Sequence, residues 1–131
     1  MDILNKEAWE QKALIRAGKL SVSELMQETF TRIETVNPHV NALVNLLSKE
    51  DCYKLASENT SLGGALGGMP MAIKDLANVK GFKTTEGSPL YSERVAQKDD
   101  QMVARLRAAG ALFIGKTNTP EFGLGSNTFN P

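Results

Sequence analysis

The chain has 131 residues, with 15 basic and 15 acidic side chains and a formal net charge of zero. Such a balance gives no electrostatic surface for nucleic acid or for an anionic membrane, so neither is expected as a direct partner. Cys52 is the only cysteine, which excludes an internal disulfide and favours a reducing cytoplasm. No run has the length of a membrane span and no signal peptide is recognisable.

A short helix is predicted from about Glu7 to Ala17, because apolar residues recur at helical spacing and Gly18 can end it. Its inward face is predicted to consist of Trp9, Ala13, Leu14 and Ala17. These residues are typical of a packed helix face, so the prediction concerns folding and not chemistry.

A stronger helix is predicted to begin at Ser21, because Glu24 completes a capping-box pattern. Its apolar stripe is predicted to form core, and Asn37-Pro38 is expected to end the helix. His39, the only histidine, follows that end and is interpreted as a solvated turn residue rather than a base. The stripe comprises Val22, Leu25, Met26, Thr29, Phe30, Ile33 and Val36.

The next stretch contains one ambiguous element. Residues 41–47 are predicted as a strand, although a buried helix segment fits the same apolar run. A helix is expected from about Lys49 to Glu58, capped by Ser48, with Cys52 facing inward. Residues 59–68 are glycine-rich and are predicted to be a flexible connector. They do not suit a phosphate loop, because a strand is expected after them instead of a helix.

Lys74 is the main candidate for chemistry. It ends a short apolar run that follows a glycine pair, and this run has the length of a buried strand. Ligands of open α/β sheets bind at the carboxyl ends of strands. A lysine buried there would lose hydration, which favours the neutral amine and permits it to accept a proton. The competing interpretation is a solvated surface lysine with Asp75 as its surface neighbour.

A second strand is predicted to meet the first at the same edge. Residues 76–98 are predicted as a long ordered loop, followed by a helix that begins at Asp99-Asp100 and ends at Gly110. The strand Ala111-Leu112-Phe113-Ile114 then runs toward Thr117 and Asn118. A strand, helix, strand order favours parallel pairing, which would place Lys74-Asp75 and Thr117-Asn118 together. Thr119-Pro120-Glu121 is interpreted as the start of another helix.

The other polar residues at this edge allow two interpretations. Thr117 and Asn118 either form turn and cap hydrogen bonds or line a cleft. Asp75 is expected to orient the loop or to pair locally, because a carboxylate facing a lysine raises its pKa and opposes its action as a base. No group of residues has metal-ligand spacing, so neither a metal nor an organic cofactor is expected.

Taken together, several runs resemble the amidase signature family. In chain order they are Arg32-Ile33-Glu34, Asn37-Pro38, Asn41-Ala42, residues 68–75, Lys80-Gly81, and residues 84–88, 103–111 and 115–122. The resemblance implies an α/β fold, with a mixed sheet flanked by helices. It implies an N-terminal helical region in residues 1–62 and the start of the core in residues 63–131. It also implies amide hydrolysis by a Ser-cisSer-Lys triad in which Lys74 activates the bridging serine.

One departure from the family pattern changes what this chain can do. The family carries both serines in a Gly-Gly-Ser-Ser-Gly-Gly-like segment, which this sequence does not contain, and Ser88 and Ser126 do not match it. The chain is therefore expected to be the N-terminal portion of an amidase and to be inactive alone. A small amide is the expected substrate, and the exposed edges of an incomplete fold are expected to cause self-association.

Two other functions compete with this interpretation. One is the glutaminase component of the tRNA-dependent amidotransferase, although residues 119–131 look more like stand-alone amidases. The other is a non-catalytic interaction module that uses the same partial fold. A reading frame that continued into a Ser-Ser segment would argue against the module.

Overall fold

The computed structural model describes residues 2–59 and 62–130. Four helices and three strands form a mixed α/β fold in these ranges, which confirms the expected fold class. The helices are α1 (Ala8–Arg16), α2 (Val22–Val40), α3 (Lys49–Glu58) and α4 (Gln101–Ala108). The strands are β1 (Leu43–Val44), β2 (Pro70–Lys74) and β3 (Leu112–Thr117). Short 3₁₀ turns occur at Ile3–Asn5, Pro89–Tyr91 and Glu121–Gly123.

The helix starts follow the caps in the sequence. At α2 the Ser21 hydroxyl accepts from the Glu24 N–H at 3.0 Å, and the Glu24 carboxylate accepts from the Ser21 N–H at 2.7 Å. At α3 the Ser48 hydroxyl accepts from the Asp51 N–H at 3.0 Å. Each bond satisfies a donor that the first helical turn leaves free, which is why these starts were predictable.

The predicted inward face of α1 was wrong at three of its four residues, whereas Leu14 is half-buried and packs against a buried apolar cluster. Trp9 is 71% exposed and Ala13 and Ala17 are exposed, whereas Lys12 and Ile15 are buried. The aliphatic stem of Lys12 can be buried because its ammonium donates to the carbonyls of Leu62 and Gly67, each at 2.7 Å. The helix is therefore anchored by a lysine that hydrophobic periodicity assigns to the surface.

Helix α2 continues past the predicted stop. Pro38 lies inside its last turn, and the helix ends at Asn41, whose φ is +46°. Asn37 holds the chain that follows, because its side-chain amide donates to the Leu43 carbonyl at 3.0 Å and accepts from the Leu43 N–H at 2.8 Å. A proline near a helix end removes only one backbone hydrogen bond, so the helix can pass through it.

The predicted connector packs closely against the end of α4. The N–H groups of Leu66 and Gly68 donate to the carbonyls of Ala109 and Gly110, at 2.8 and 3.2 Å. At Gly64 a Cβ atom would lie 2.1 Å from the Ala109 carbonyl oxygen. Gly64 therefore permits a close backbone approach that was not expected of a flexible connector. Residues 60 and 61 lie outside the described ranges.

The sheet is small and mixed, with strand order β1-β3-β2. Strands β2 and β3 are parallel, as predicted from the strand, helix, strand order, and β1 is antiparallel to β3. The register of β2 and β3 shifts between Met71 and Ala72. Asn45, with φ of +47°, follows directly after the two residues of β1.

Two apolar clusters lie on opposite sides of β3. Leu112 and Ile114 belong to a cluster formed with α1, α2 and α3, whereas Ala111 and Phe113 pack with Val103 of α4. Successive strand residues point to opposite faces, so this alternation places the N-terminal helices on one face and α4 on the other. Met102, the chain neighbour of Val103 on α4, is 54% exposed.

Candidate functional site

The parallel pairing brings the predicted site residues to one edge. Lys74 pairs with Thr117 in the register of β2 and β3, and the Asp75 N–H donates to the Thr117 carbonyl at 3.0 Å. Asn118 follows, held by its own N–H to the Ala42 carbonyl at 2.8 Å. The sequence therefore predicted correctly that both strands deliver polar residues to the same edge.

Lys74 itself is exposed in this structure. Its neighbours Ile73 and Asp75 are buried, so its side chain leaves β2 on the opposite side from theirs. Among the described residues, no hydrogen bond or ion pair holds its ammonium group. The expectation that residues of this chain bury and desolvate Lys74 is therefore wrong.

The buried lysine of this edge is Lys116. It has 0% exposure, and its ammonium donates to the Asp75 carboxylate at 3.1 Å, the Ala77 carbonyl at 2.8 Å and the Thr84 hydroxyl at 3.1 Å. All three of its donors are therefore satisfied. Asp75 is only 1% exposed and also accepts from the N–H and the hydroxyl of Thr85.

Burial lowers the pKa of Lys116, and the hydrogen bond and charge of Asp75 oppose that shift. Arg94 also lowers the pKa of Lys116 by repulsion, whereas Asp100 raises it. A buried charge is costly unless it is paired and hydrogen-bonded, and Lys116 with Asp75 meets both conditions. This pair is thus the most completely desolvated charge pair in the described part of the chain.

The pair organises the loop that follows Lys74. Ala77, Thr84 and Thr85 all bond to it, and the Glu86 N–H donates to the Asp75 carbonyl at 3.0 Å. Farther along, the Arg94 guanidinium donates to the Glu86 carboxylate and to the Thr84 carbonyl, each at 2.8 Å. These bonds hold the part of the loop around Arg94 against the part around Thr84 and Glu86. The long loop predicted after Asp75 is therefore ordered by buried polar bonds.

A cleft of about 320 Å³ opens at this edge. Its polar lining includes Asp75, Thr85, Ser88, Asn118 and Asn130. Lys74 is not part of the lining, because its side chain lies on the other side of β2. Of the residues that the sequence assigned to the cleft, Asn118 and Asp75 line it, whereas Thr117 does not.

The hydroxyl groups near the cleft serve the fold. Ser88 is 3% exposed, and its hydroxyl donates to the Glu121 carboxylate at 2.7 Å. Ser126 is exposed. The predicted helix at Thr119-Pro120-Glu121 is only the 3₁₀ turn Glu121–Gly123, with Phe122 at φ of +54°. Thr119 does not cap it, since its buried hydroxyl has no partner among the described residues.

Lys116 was not predicted from the sequence as a buried or functional residue. The available signal was the complementary charge at the ends of two strands expected to be parallel: Asp75 after β2 and Lys116 in β3. In the described ranges no three His, Cys, Asp or Glu side chains group as a metal site, and no helix there is long and apolar enough to cross a membrane.

The family model Amidase matches residues 24–131. The chain belongs to the amidase family. Among its relatives, a glutamyl-tRNA(Gln) amidotransferase subunit of Syntrophobacter fumaroxidans is 39% identical over 89% of this chain and 25% of its own length. An acylamidase of Rhodococcus erythropolis is 38% identical over 94% of this chain and 27% of its own length.

A solved structure shows the same fold. The 6-aminohexanoate cyclic dimer hydrolase complexed with substrate superposes with a TM-score of 0.86 and 32% identity, over 99% of this chain and 27% of that chain. The chain therefore spans about a quarter of the length of the amidase-family proteins that it matches.

Proposed function

We propose that the whole protein carrying this segment hydrolyses a carboxylic amide, with Lys74 as the base of a Ser-cisSer-Lys triad. The observation that carries the proposal is the position of Lys74 at the carboxyl end of β2, parallel to β3, in a chain of the amidase family. Its ammonium is free of partners within the described residues. A lysine in that position is available to groups from outside this segment.

The chemistry requires a neutral lysine amine. Lys74 would take a proton from the bridging serine, which in turn takes the proton of the nucleophilic serine as that oxygen attacks the amide carbon. Backbone N–H groups would stabilise the tetrahedral oxyanion, and the amine leaves after it receives a proton. Water then attacks the acyl-enzyme, releases the acid and restores both serines. Both serines would come from outside these 131 residues.

The other site residues have supporting roles in this proposal. Asp75 orients the loop after Lys74 through its bonds to Lys116 and Thr85 and transfers no proton. Thr117 lies beside Lys74 in the register, where its side chain can border the substrate. Asn118 lines the cleft while its side-chain amide donates to the Asn41 carbonyl at 3.1 Å, so it combines a turn role with a cleft role.

A second function has its own support. The 39% identity to a glutamyl-tRNA(Gln) amidotransferase component favours a glutaminase that supplies ammonia to a partner. Purified whole protein should be assayed without partners against simple primary amides and against glutamine, with ammonia and acid measured together. Turnover of simple amides supports the amidase. Turnover of glutamine alone supports the glutaminase, and no turnover of either class contradicts both enzymatic proposals and leaves the interaction module.

The 131-residue segment should be inactive in the same assay because it lacks the two serines of the triad.

We place the whole protein in the cytoplasm, supported by the single free and buried Cys52. We also propose that the isolated segment self-associates through its open sheet edges and exposed apolar side chains. We also propose that residues 1–62 form the N-terminal helical region of the amidase fold and that residues 63–131 form the start of its core.

A further inference from the structure

A groove of about 820 Å³ lies between α1 and the glycine connector. Most of the residues that line it are apolar, and they include Trp9, Leu66 and Met69. The groove shares no lining residue with the cleft beside Asp75. Trp9 is 71% exposed, so a ligand in the groove has an aromatic ring available for contact.

Two cationic side chains line the same groove. Lys12 and Arg16 are four residues apart on α1, which places them on one face of the helix. The described residues that line the groove include no Asp or Glu. Arg16 is exposed and forms no hydrogen bond or ion pair with any described residue. The groove therefore carries positive charge that no carboxylate of its own lining balances.

Lys12 has a hydrogen-bond donor to spare. It is 6% exposed, and its ammonium donates to the carbonyls of Leu62 and Gly67, each at 2.7 Å. An ammonium has three donors, so one is left without an acceptor among the described residues. Burial lowers the pKa of Lys12, and repulsion by Arg16 lowers it further. An anion beside the two cations would accept the spare donor and offset the repulsion.

The walls of the groove select the chemical class of that anion. A small inorganic anion gains nothing from apolar walls, whereas an apolar body gains by leaving water. The guanidinium of an arginine matches the two oxygens of a carboxylate. A carboxylate with an apolar chain or ring therefore satisfies both parts of the groove: its head meets Arg16 and Lys12, and its body lies along Trp9 and Leu66.

We propose that the groove between α1 and the connector binds a small carboxylate with an apolar body, held by Arg16 and Lys12 and by contact with Trp9. This binding site goes beyond the proposed function and does not rest on it, because Lys74 takes no part in it. A whole protein that hydrolyses no amide would leave the binding prediction unchanged, and a groove that binds no carboxylate would leave amide hydrolysis unchanged.

Trp9 reports directly on the groove, because it is the only tryptophan of the 131-residue chain. The test is a titration with hexanoate at about pH 6, where a carboxylate is ionised and protonation of Lys12 is favoured. Hexanamide is the matched neutral probe, and acetate is the matched probe without an apolar body. Hexanoate should change the fluorescence of Trp9 saturably, and hexanamide and acetate should each bind at least about fivefold more weakly.

A matched pair of substitutions tests the role of Arg16. Arg16→Gln should weaken hexanoate binding at least about fivefold and leave hexanamide binding unchanged. Arg105→Gln is the control, because Arg105 is likewise an exposed arginine in the last turn of a helix without a partner among the described residues. It should leave hexanoate binding unchanged. The amide NMR spectrum of each variant checks that it keeps the fold.

Three results would overturn the proposal. One is the absence of any saturable change in Trp9 fluorescence and in the amide signals of Leu66 and Met69 when hexanoate is added. The second is equal binding of hexanoate and hexanamide, which would leave an apolar groove without an anion site. The third is equal weakening by Arg16→Gln and Arg105→Gln, which would show only a general effect of net charge. If Arg16→Gln does not fold, the comparison of hexanoate with hexanamide on the wild-type chain decides.

Discussion

At the scale of single residues, two lysines at one sheet edge have opposite environments. Lys74 is exposed, whereas Lys116 is fully buried and satisfied by three acceptors. The sequence located Lys74 at a strand end because an apolar run and a glycine pair define that strand. The local pattern around each lysine did not show which one is buried, because Lys116 is stabilised by Asp75, Ala77 and Thr84 from a distant part of the chain.

This difference predicts how the two amines react. Acetylation of the 131-residue chain with an amine-reactive ester at about pH 8, where an exposed lysine has a small neutral fraction, should modify Lys74 at a rate similar to exposed Lys98. Lys116 should react at least about tenfold more slowly, because it must leave its buried network first. Mass spectrometry of the peptides measures the rates. Equal rates for Lys74 and Lys116 in the folded chain would contradict the arrangement.

The same experiment on the whole protein tests where the desolvation of Lys74 comes from. Residues of this chain leave Lys74 exposed, so under the proposed function its burial would come from residues outside this segment. We expect Lys74 to become protected there, with Lys98 as the internal reference for reagent and time. A Lys74 that reacts as fast in the whole protein as in the segment would contradict this source of desolvation.

At the scale of elements, local caps made the helix starts predictable. The errors occurred where contacts between distant parts of the chain decide which residues are buried. The Ser21 and Ser48 caps fixed two helix starts, since the hydrogen bonds that define them are local. The inward face of α1 was wrong because Lys12 bonds to carbonyls far along the chain. The predicted end of α2 was wrong because Pro38 lies in the last turn, where a proline removes only one backbone hydrogen bond.

The glycine connector provides a matched pair of substitutions. Gly64→Ala should lower the free energy of unfolding by about 1–3 kcal/mol, because the new Cβ would meet the Ala109 carbonyl and the backbone has to shift. Gly63→Ala is the control, since a Cβ there meets nothing within 4 Å. It should be neutral, or stabilise by up to about 1 kcal/mol. Urea denaturation measures both, and equal effects would show that the close approach to α4 is absent.

At the scale of the whole molecule, the described residues leave sheet edges and apolar side chains open to solvent. Strands β1 and β2 are both edges of the sheet. The Tyr91 and Phe122 rings meet edge to face at 6.0 Å, and we group them with their chain neighbours Leu90 and Leu124 as an apolar patch. Leu90 is 81% exposed and Leu124 is 79% exposed, so both present apolar surface to solvent.

These surfaces predict self-association of the isolated segment. Sedimentation velocity across a concentration series should show species larger than a monomer, and Leu90→Ser combined with Leu124→Ser should shift the distribution toward monomer. Met102→Ser is the control, since it removes an apolar side chain that is 54% exposed on α4, outside the patch. A single monomeric species at high concentration would contradict the prediction for the wild-type chain.

The central claim is that Lys74 acts as a base in amide hydrolysis by the whole protein, and the most direct measurement compares kcat for Lys74→Arg with that of the wild type. Arginine keeps the positive charge and the length of the side chain but does not give up its proton. We predict a loss of at least about a hundredfold in kcat, the range of general acid-base catalysis, while Lys80→Arg retains full activity. A Lys74→Arg enzyme within about threefold of the wild type would contradict the claim, because that loss is far below what removal of a general base causes.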